Sequence, residues 1–114
     1  MTRIYKILGR QDWAAAEAAG RFVGAGVDLA DGYIHFSTAV QAAETGKRYF
    51  SGRIDLVLVE VEADDLGSAV LWEPSRGGDL FPHLYGVLDC ADVRSVRPVS
   101  LDAAGTPILE NLTP

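Results

Sequence analysis

Two histidines, one isolated arginine and a few carboxylates carry the chemistry this chain can offer. His35 lies in YIHFS, between Ile34 and Phe36. In an extended segment it shares a face with Tyr33 and Ser37. A histidine on the polar side of an apolar strand suits general-base work or hydrogen bonding to a ligand. The plainer alternative is a satisfied, partly buried side chain beside a helix start, which a bare H-x-S pattern favours. His83 lies in FPHLYG, where Phe81, His83 and Tyr85 fall on one face if the chain is extended. Two rings flanking a histidine make a stacking platform for a flat ligand, or an edge that packs its rings on the core. Arg76, in SRGG, sets a fixed cation beside backbone that can approach a ligand closely, because glycine has no Cβ. That arrangement suits a phosphate or carboxylate; a solvated loop arginine is the alternative.

The carboxylate candidates are Glu60, Glu62 and Glu73. Glu60 interrupts an apolar run and is expected to be partly buried, with its pKa raised toward the acid–base range. Glu62 is expected at the solvent end of the same strand. Glu73 stands just before the SRGG loop and is the catalytic candidate by position. Asp31, before Gly32, reads as a turn residue. Cys90 has no cation or histidine beside it in sequence, so no activation of its thiolate is visible. GRFVGAG lacks the spacing of either common phosphate-binding loop.

Charge gives Arg76 its weight. The formal net charge is −6, with 10 basic and 16 acidic residues. Residues 1–50 hold six basic and five acidic side chains, whereas residues 51–114 hold four basic and eleven acidic. Between residues 54 and 92 there are nine acids and one cation, Arg76. Such a cation must be taken up by an internal Asp or Glu, or by an anionic ligand. The acidity also argues against a long phosphate backbone as partner, and no long nucleic acid is expected.

Positioning these residues requires the following elements. Arg3 to Leu8 alternates, with Ile4, Lys6 and Leu8 on one face and Tyr5 and Ile7 on the other, and predicts a first strand. Asp12 reads as the N-cap of a helix over Trp13–Ala19 that Gly20 closes. Gly20 to Gly32 reads mostly as loop, with a short strand at Phe22–Val23. Tyr33–Thr38 predicts a second strand. Thr38 with Gln41 forms a capping box for a helix that runs to about Phe50. Ile54–Val61 is nearly continuously apolar and predicts a central strand covered on both sides. ADDLGS is a turn, Val70–Trp72 a short strand and Glu73–Gly78 a loop. In Leu80–Leu88, Pro82 places the start at a sheet edge or a bulge. Val93–Leu101 predicts a last strand. Two early helices followed mainly by strands give an α+β class.

The 114 residues fit a single domain, 1–114, with a radius of gyration of roughly 13 Å. One cysteine rules out an internal disulfide framework, and two histidines with one cysteine rule out a zinc site of nitrogen and sulfur ligands; no metal is expected. No apolar run approaches a membrane span, and MTRIYKILGR is too short and too charged for a secretory signal. A reduced, cytoplasmic protein without a membrane partner is the expectation. Composition leaves the oligomeric state open.

The segments DGYIHFSTAVQ, RYFSGRIDLVLVEV, LWEPSRGG and LFPHLYGVL, in this order, resemble a family of small bacterial proteins of unknown function grouped by fold with the ADP-ribosyltransferases. The resemblance implies an ADP-ribosylation-like fold: a split, mixed, mostly antiparallel β core with two N-terminal helices and a cleft that in active relatives binds NAD. It is similar in outline to the RNA 2′-phosphotransferases, which also set an H-x-S-like segment on a strand before a helix. It implies His35 and Ser37 as the second-strand motif, with Tyr5 or Lys6 facing the same cleft. The chain carries neither a His-Tyr-Glu nor an Arg-Ser-Glu set in register, and Glu73 is the nearest late carboxylate.

Four functions follow. In the first, a nucleotide-like ligand of the NAD or ADP-ribose type binds, and an ADP-ribosyl-type transfer runs on it. His35 orients a ribose hydroxyl, Arg76 holds the pyrophosphate, Phe81 or Tyr85 stacks a ring, His83 and Ser37 complete the site, and Glu73 stabilises charge on the sugar. In the second, the same cleft binds without turnover. The third is a two-histidine phosphodiesterase, for which His35-Phe36-Ser37 fits the required motif and His83-Leu84-Tyr85 does not. The fourth is a structural protein with no small-molecule site, which requires His35 and His83 to lie apart in the core.

Overall fold

The computed structural model describes residues 1–114. Its framework is a four-stranded sheet in the order β4-β1-β5-β9. Strand β1 (Arg3–Gly9) pairs with β4 (Ser37–Thr38) on one side and with β5 (Leu56–Glu62) on the other, and β9 (Val93–Val99) closes the far edge. Both faces of the inner strands are covered. Ile4, Leu8, Val57, Val59 and Val61 enter the larger core cluster with Trp13, Phe22, Ile34 and Phe36. Tyr5, Ile7, Leu56 and Leu58 form a second cluster against Phe50, Leu109 and Leu112. The near-continuous apolar run of β5 follows from this double burial.

A second sheet has the order β3-β7-β6, from Ile34–His35, Leu80–Leu84 and Val70–Pro74 respectively, and a two-stranded ribbon joins β2 (Arg21–Phe22) to β8 (Leu88–Asp89). Every strand pairing is antiparallel, so the expected mixed core is antiparallel throughout. The radius of gyration is 13.1 Å. No helix is long and apolar enough to cross a membrane.

Several boundaries differ from expectation for identifiable reasons. The first helix, α1, spans Arg10–Ala19; Gly9 takes the N-cap position and Asp12 lies in the first turn. The glycine-rich stretch holds a further helix, α2 (Val27–Asp31), which ends on Gly32 at φ 83°, so three helices and not two precede β5. The predicted second strand is broken at Phe36. Its first half pairs with β7, its second half with β1, and the Phe36 N–H donates to the Pro82 carbonyl at 3.1 Å. Thr38 and Gln41 do form the capping box, on α3 (Ala39–Tyr49).

Pro82 sits in the middle strand of its sheet and not at an edge. Its carbonyl faces the β3 side, where pairing ends one residue earlier, at His35 opposite His83. The missing N–H therefore removes no ladder bond. Of the two strand glutamates, Glu60 is partly buried as expected, whereas Glu62 does not stand at a solvent end. Glu62 is the buried one, because the N–H groups of Thr2 and Asp64 both donate to its Oε2 and Arg3 lies 3.4 Å from Oε1. Glu60 is half-buried between Arg3, at 2.6 Å, and the Ser95 hydroxyl, at 2.8 Å.

Candidate functional site

Where the chain leaves the three-stranded sheet for the four-stranded one, a cleft of about 500 Å³ opens. Both histidines, Arg76 and Phe81 line it, together with Ser37, Tyr33 and Asp31. Small-molecule pockets run to roughly 300–1,000 Å³. Strand β1 forms the floor, α2 and β3 form one end, and α3 with the 75–78 loop forms the other.

At the first end the histidines are cross-strand partners. His35 pairs with His83 in register, and their ring centroids lie 5.4 Å apart in an edge-on arrangement. The Tyr33 ring covers both, 4.6 Å from His35 and 4.2 Å from His83. The polar atoms of His35 are fully committed. Its Nδ1 lies 2.7 Å from Asp28 Oδ1, and its Nε2 lies 2.9 Å from Asp31 Oδ2. Its backbone N–H donates to Asp28, and its carbonyl accepts from the Lys6 ammonium at 3.0 Å. Asp28 is the hub. It is 2% exposed and also accepts from Lys6 and from the Ala25 N–H. Burial alone would raise this carboxyl, but the hydrogen bonds from His35 and the Lys6 charge bring it down to about 2. The same burial lowers the Lys6 ammonium, against the pull of Asp28.

His83 is bound differently. Its Nδ1 lies 2.8 Å from Glu73 Oε1, and the Tyr85 hydroxyl donates to that same oxygen at 2.8 Å. Those two bonds, from His83 first, hold the Glu73 carboxyl below its ordinary value, and the bond to Glu73 pushes the Tyr85 hydroxyl up to about 12. Its Nε2 has no protein partner and is not sealed off.

At the other end, Arg76 makes no ion pair with any Asp or Glu. Its guanidinium donates to Thr45 Oγ1 at 3.2 Å, lies 4.9 Å from the Phe81 ring centroid and 5.8 Å from that of Tyr49. Thr45 is joined in turn to the Ser37 hydroxyl at 2.9 Å. The loop that presents Arg76 is closed by bonds between Ser75 and Asp79 and between Gly78 and Ser75, with Gly77 and Gly78 at φ 70° and 83°. Side chains with a Cβ would be strained at both. The nearby Glu44 is engaged with Arg48, whose hydrogen bond chiefly holds its carboxyl low, with Arg76 adding a smaller pull. Arg53, on the cleft wall, likewise has only an aromatic neighbour, Phe50, at 5.0 Å.

The cleft thus brings together His35, Ser37, Arg76, Phe81 and His83. Glu73 and Tyr85 do not line it; they stand behind His83, and Tyr85 is largely exposed. Tyr5 and Lys6 both contribute to the cleft wall, but the Tyr5 hydroxyl donates to the Thr113 carbonyl and Lys6 is tied to Asp28. Glu60 and Glu62 lie outside it. Cys90 donates to the Ala16 carbonyl, and burial pushes its thiol up. Sequence reasoning missed Asp28, although Lys6 on the apolar face of β1 called for a buried counter-charge. It read Asp31 only as a turn residue, although the i, i+3 spacing of the two acids puts both on one side of a helical turn.

Comparison with known proteins gives the following. The chain is 53% identical to the protein CC0527 from Caulobacter crescentus, whose crystal structure superposes with a TM-score of 0.93 over 95% of each chain. The solution NMR structure of CC0527 superposes with a TM-score of 0.85, covering 94% of this chain and 92% of that one. No curated protein matches the chain. A family model described as a protein of unknown function, DUF952, matches residues 7–96. That span runs from the second half of β1 to the middle of β9 and includes both histidines and Arg76, and the chain belongs to the DUF952 family.

Proposed function

We propose that the cleft binds a small phosphate-bearing ligand of the nucleotide or ADP-ribose type, with Arg76 holding the anionic group. The observation that carries this reading is the state of Arg76. In a chain of net charge −6 it lines the cleft without a carboxylate partner. Two aromatic rings and one hydroxyl orient the guanidinium, and no carboxylate pairs with it, which suits a planar, bidentate grip on phosphate. Phe81 and Tyr33 add aromatic surface to the cleft wall. An ADP-ribosylation-like core is consistent with a split antiparallel framework and with an H-x-S segment directly before a capped helix.

For NAD, the residues present fit the phosphate and the flat rings better than they fit ribosyl transfer. Glu73, the carboxylate expected to stabilise charge on the sugar, is held behind His83, and both ring nitrogens of His35 are engaged. Those two facts favour binding without ribosyl transfer over a transferase. Incubating the protein with NAD and following nicotinamide release by mass spectrometry separates the two. Bound but intact NAD is the expected result; free nicotinamide that disappears with Glu73→Gln overturns it.

A further inference from the structure

We infer that His83, and not His35, meets a ligand hydroxyl, so that the cleft takes a phosphorylated sugar with a free hydroxyl; this rests on the reading of Arg76 as the phosphate-binding residue. His83 is 3% exposed, yet it lines the cleft. Its Nδ1 is fixed by Glu73 Oε1, and Glu73 is itself fixed by the Tyr85 hydroxyl. An ionised carboxylate can only accept, so Nδ1 carries the hydrogen, and in the neutral ring Nε2 keeps a free lone pair. The Glu73 carboxyl, held below its ordinary value by hydrogen bonds from His83 and Tyr85, is ionised at neutral pH. Tyr33, stacked on the imidazole at 30°, fixes the plane of the ring.

The result is an oriented acceptor, nearly buried, with no protein donor. Solvent reaches this nitrogen in the open cleft, so a ligand that displaces that solvent must supply a donor in its place. His35 cannot play this part, because Asp28 and Asp31 hold both of its nitrogens. Ser37 and Thr45 are bonded to each other, and Thr45 accepts from Arg76. The cleft therefore offers a cation for an anion at one end and a lone pair for a hydroxyl at the other. A phosphorylated sugar, free or within a nucleoside diphosphate sugar, answers both. Glu73 and Tyr85 are positioning residues for this contact.

The test is calorimetric titration with inorganic phosphate, ribose 5-phosphate and its 2-deoxy and 3-deoxy analogues, with histidine-¹⁵N NMR on the same protein. In the free protein, His83 is expected as the Nδ1–H form with Nε2 bare. Ribose 5-phosphate is expected to bind about tenfold tighter than phosphate, roughly the worth of one added hydrogen bond. At least one deoxy analogue loses that gain, and the sugar shifts the His83 Nε2 resonance. Phosphate binding with no gain from the sugar overturns the hydroxyl contact and leaves the Arg76 reading standing. Binding of none of the four overturns both. A His83 ring protonated at Nε2 and bare at Nδ1 overturns the contact whatever binds.

Discussion

Asp28 gathers more polar contacts than any other side chain at the site, yet sequence reasoning passed over it. It lies in VDLAD between glycines, in a stretch whose composition reads as loop, and its role appears only when α2 turns it under His35 and Lys6. Removing a buried charge's partner leaves the other charge uncompensated, so Asp28→Asn is expected to destabilise the protein at pH 7 by about 3 kcal/mol. The pH dependence follows from the direction of the shift. The folded carboxyl titrates at about 2 against an ordinary 3.8. Its contribution is thus fully present above about pH 4 and disappears as the pH falls through 2, an effect of about 2 kcal/mol. Urea unfolding between pH 7 and pH 2 checks this: the wild type loses stability across pH 4 to 2 more steeply than Asp28→Asn. Parallel curves would exclude the Asp28 hub. The burial of Glu62 was equally hidden, since it depends on the N–H groups of Thr2 and Asp64 folding over the carboxylate.

The elements were more legible than the residues they bring together. The alternation in β1, the continuous run in β5 and the capping box of α3 follow from local pattern, and each is present. The break at Phe36 is not a local property. YIHFST reads as one strand, and only the competition of two sheets for its halves divides it. That division places His35 at the seam, with its carbonyl on Lys6, and so creates the cleft end. Pro82 misled for a related reason, since proline in a middle strand is tolerated where the neighbouring strand has already ended. The capping box starts the helix that carries Thr45 and Tyr49 to Arg76. Thr38→Ala is expected to cost about 1 kcal/mol, read as a lower urea midpoint with an unchanged slope. Weaker phosphate binding should accompany it, as the Thr45 contact to Arg76 loosens. An unchanged midpoint would show that tertiary packing alone holds the start of α3.

For the whole molecule, charge distribution and cleft position give one picture. The C-terminal half is strongly acidic, yet it delivers its one cation between residues 54 and 92 to the cleft that holds both histidines. The sequence poses the choice between an internal partner and an external one for Arg76, and the fold leaves it without an internal carboxylate. What no pattern could supply was the register that sets His35 opposite His83, because that pairing joins strands almost fifty positions apart. Electrostatic binding at a single arginine is modest, so its loss should be measurable without unfolding the protein. The most direct test is calorimetric titration of ADP-ribose into the wild type and Arg76→Gln, with circular dichroism to show that both are folded. Saturable binding by the wild type that falls at least about tenfold in the variant is expected, as for loss of a charge-assisted hydrogen bond. Equal binding by the two folded proteins, or none by the wild type at millimolar ligand, would contradict the assignment of this cleft as a phosphate-ligand site.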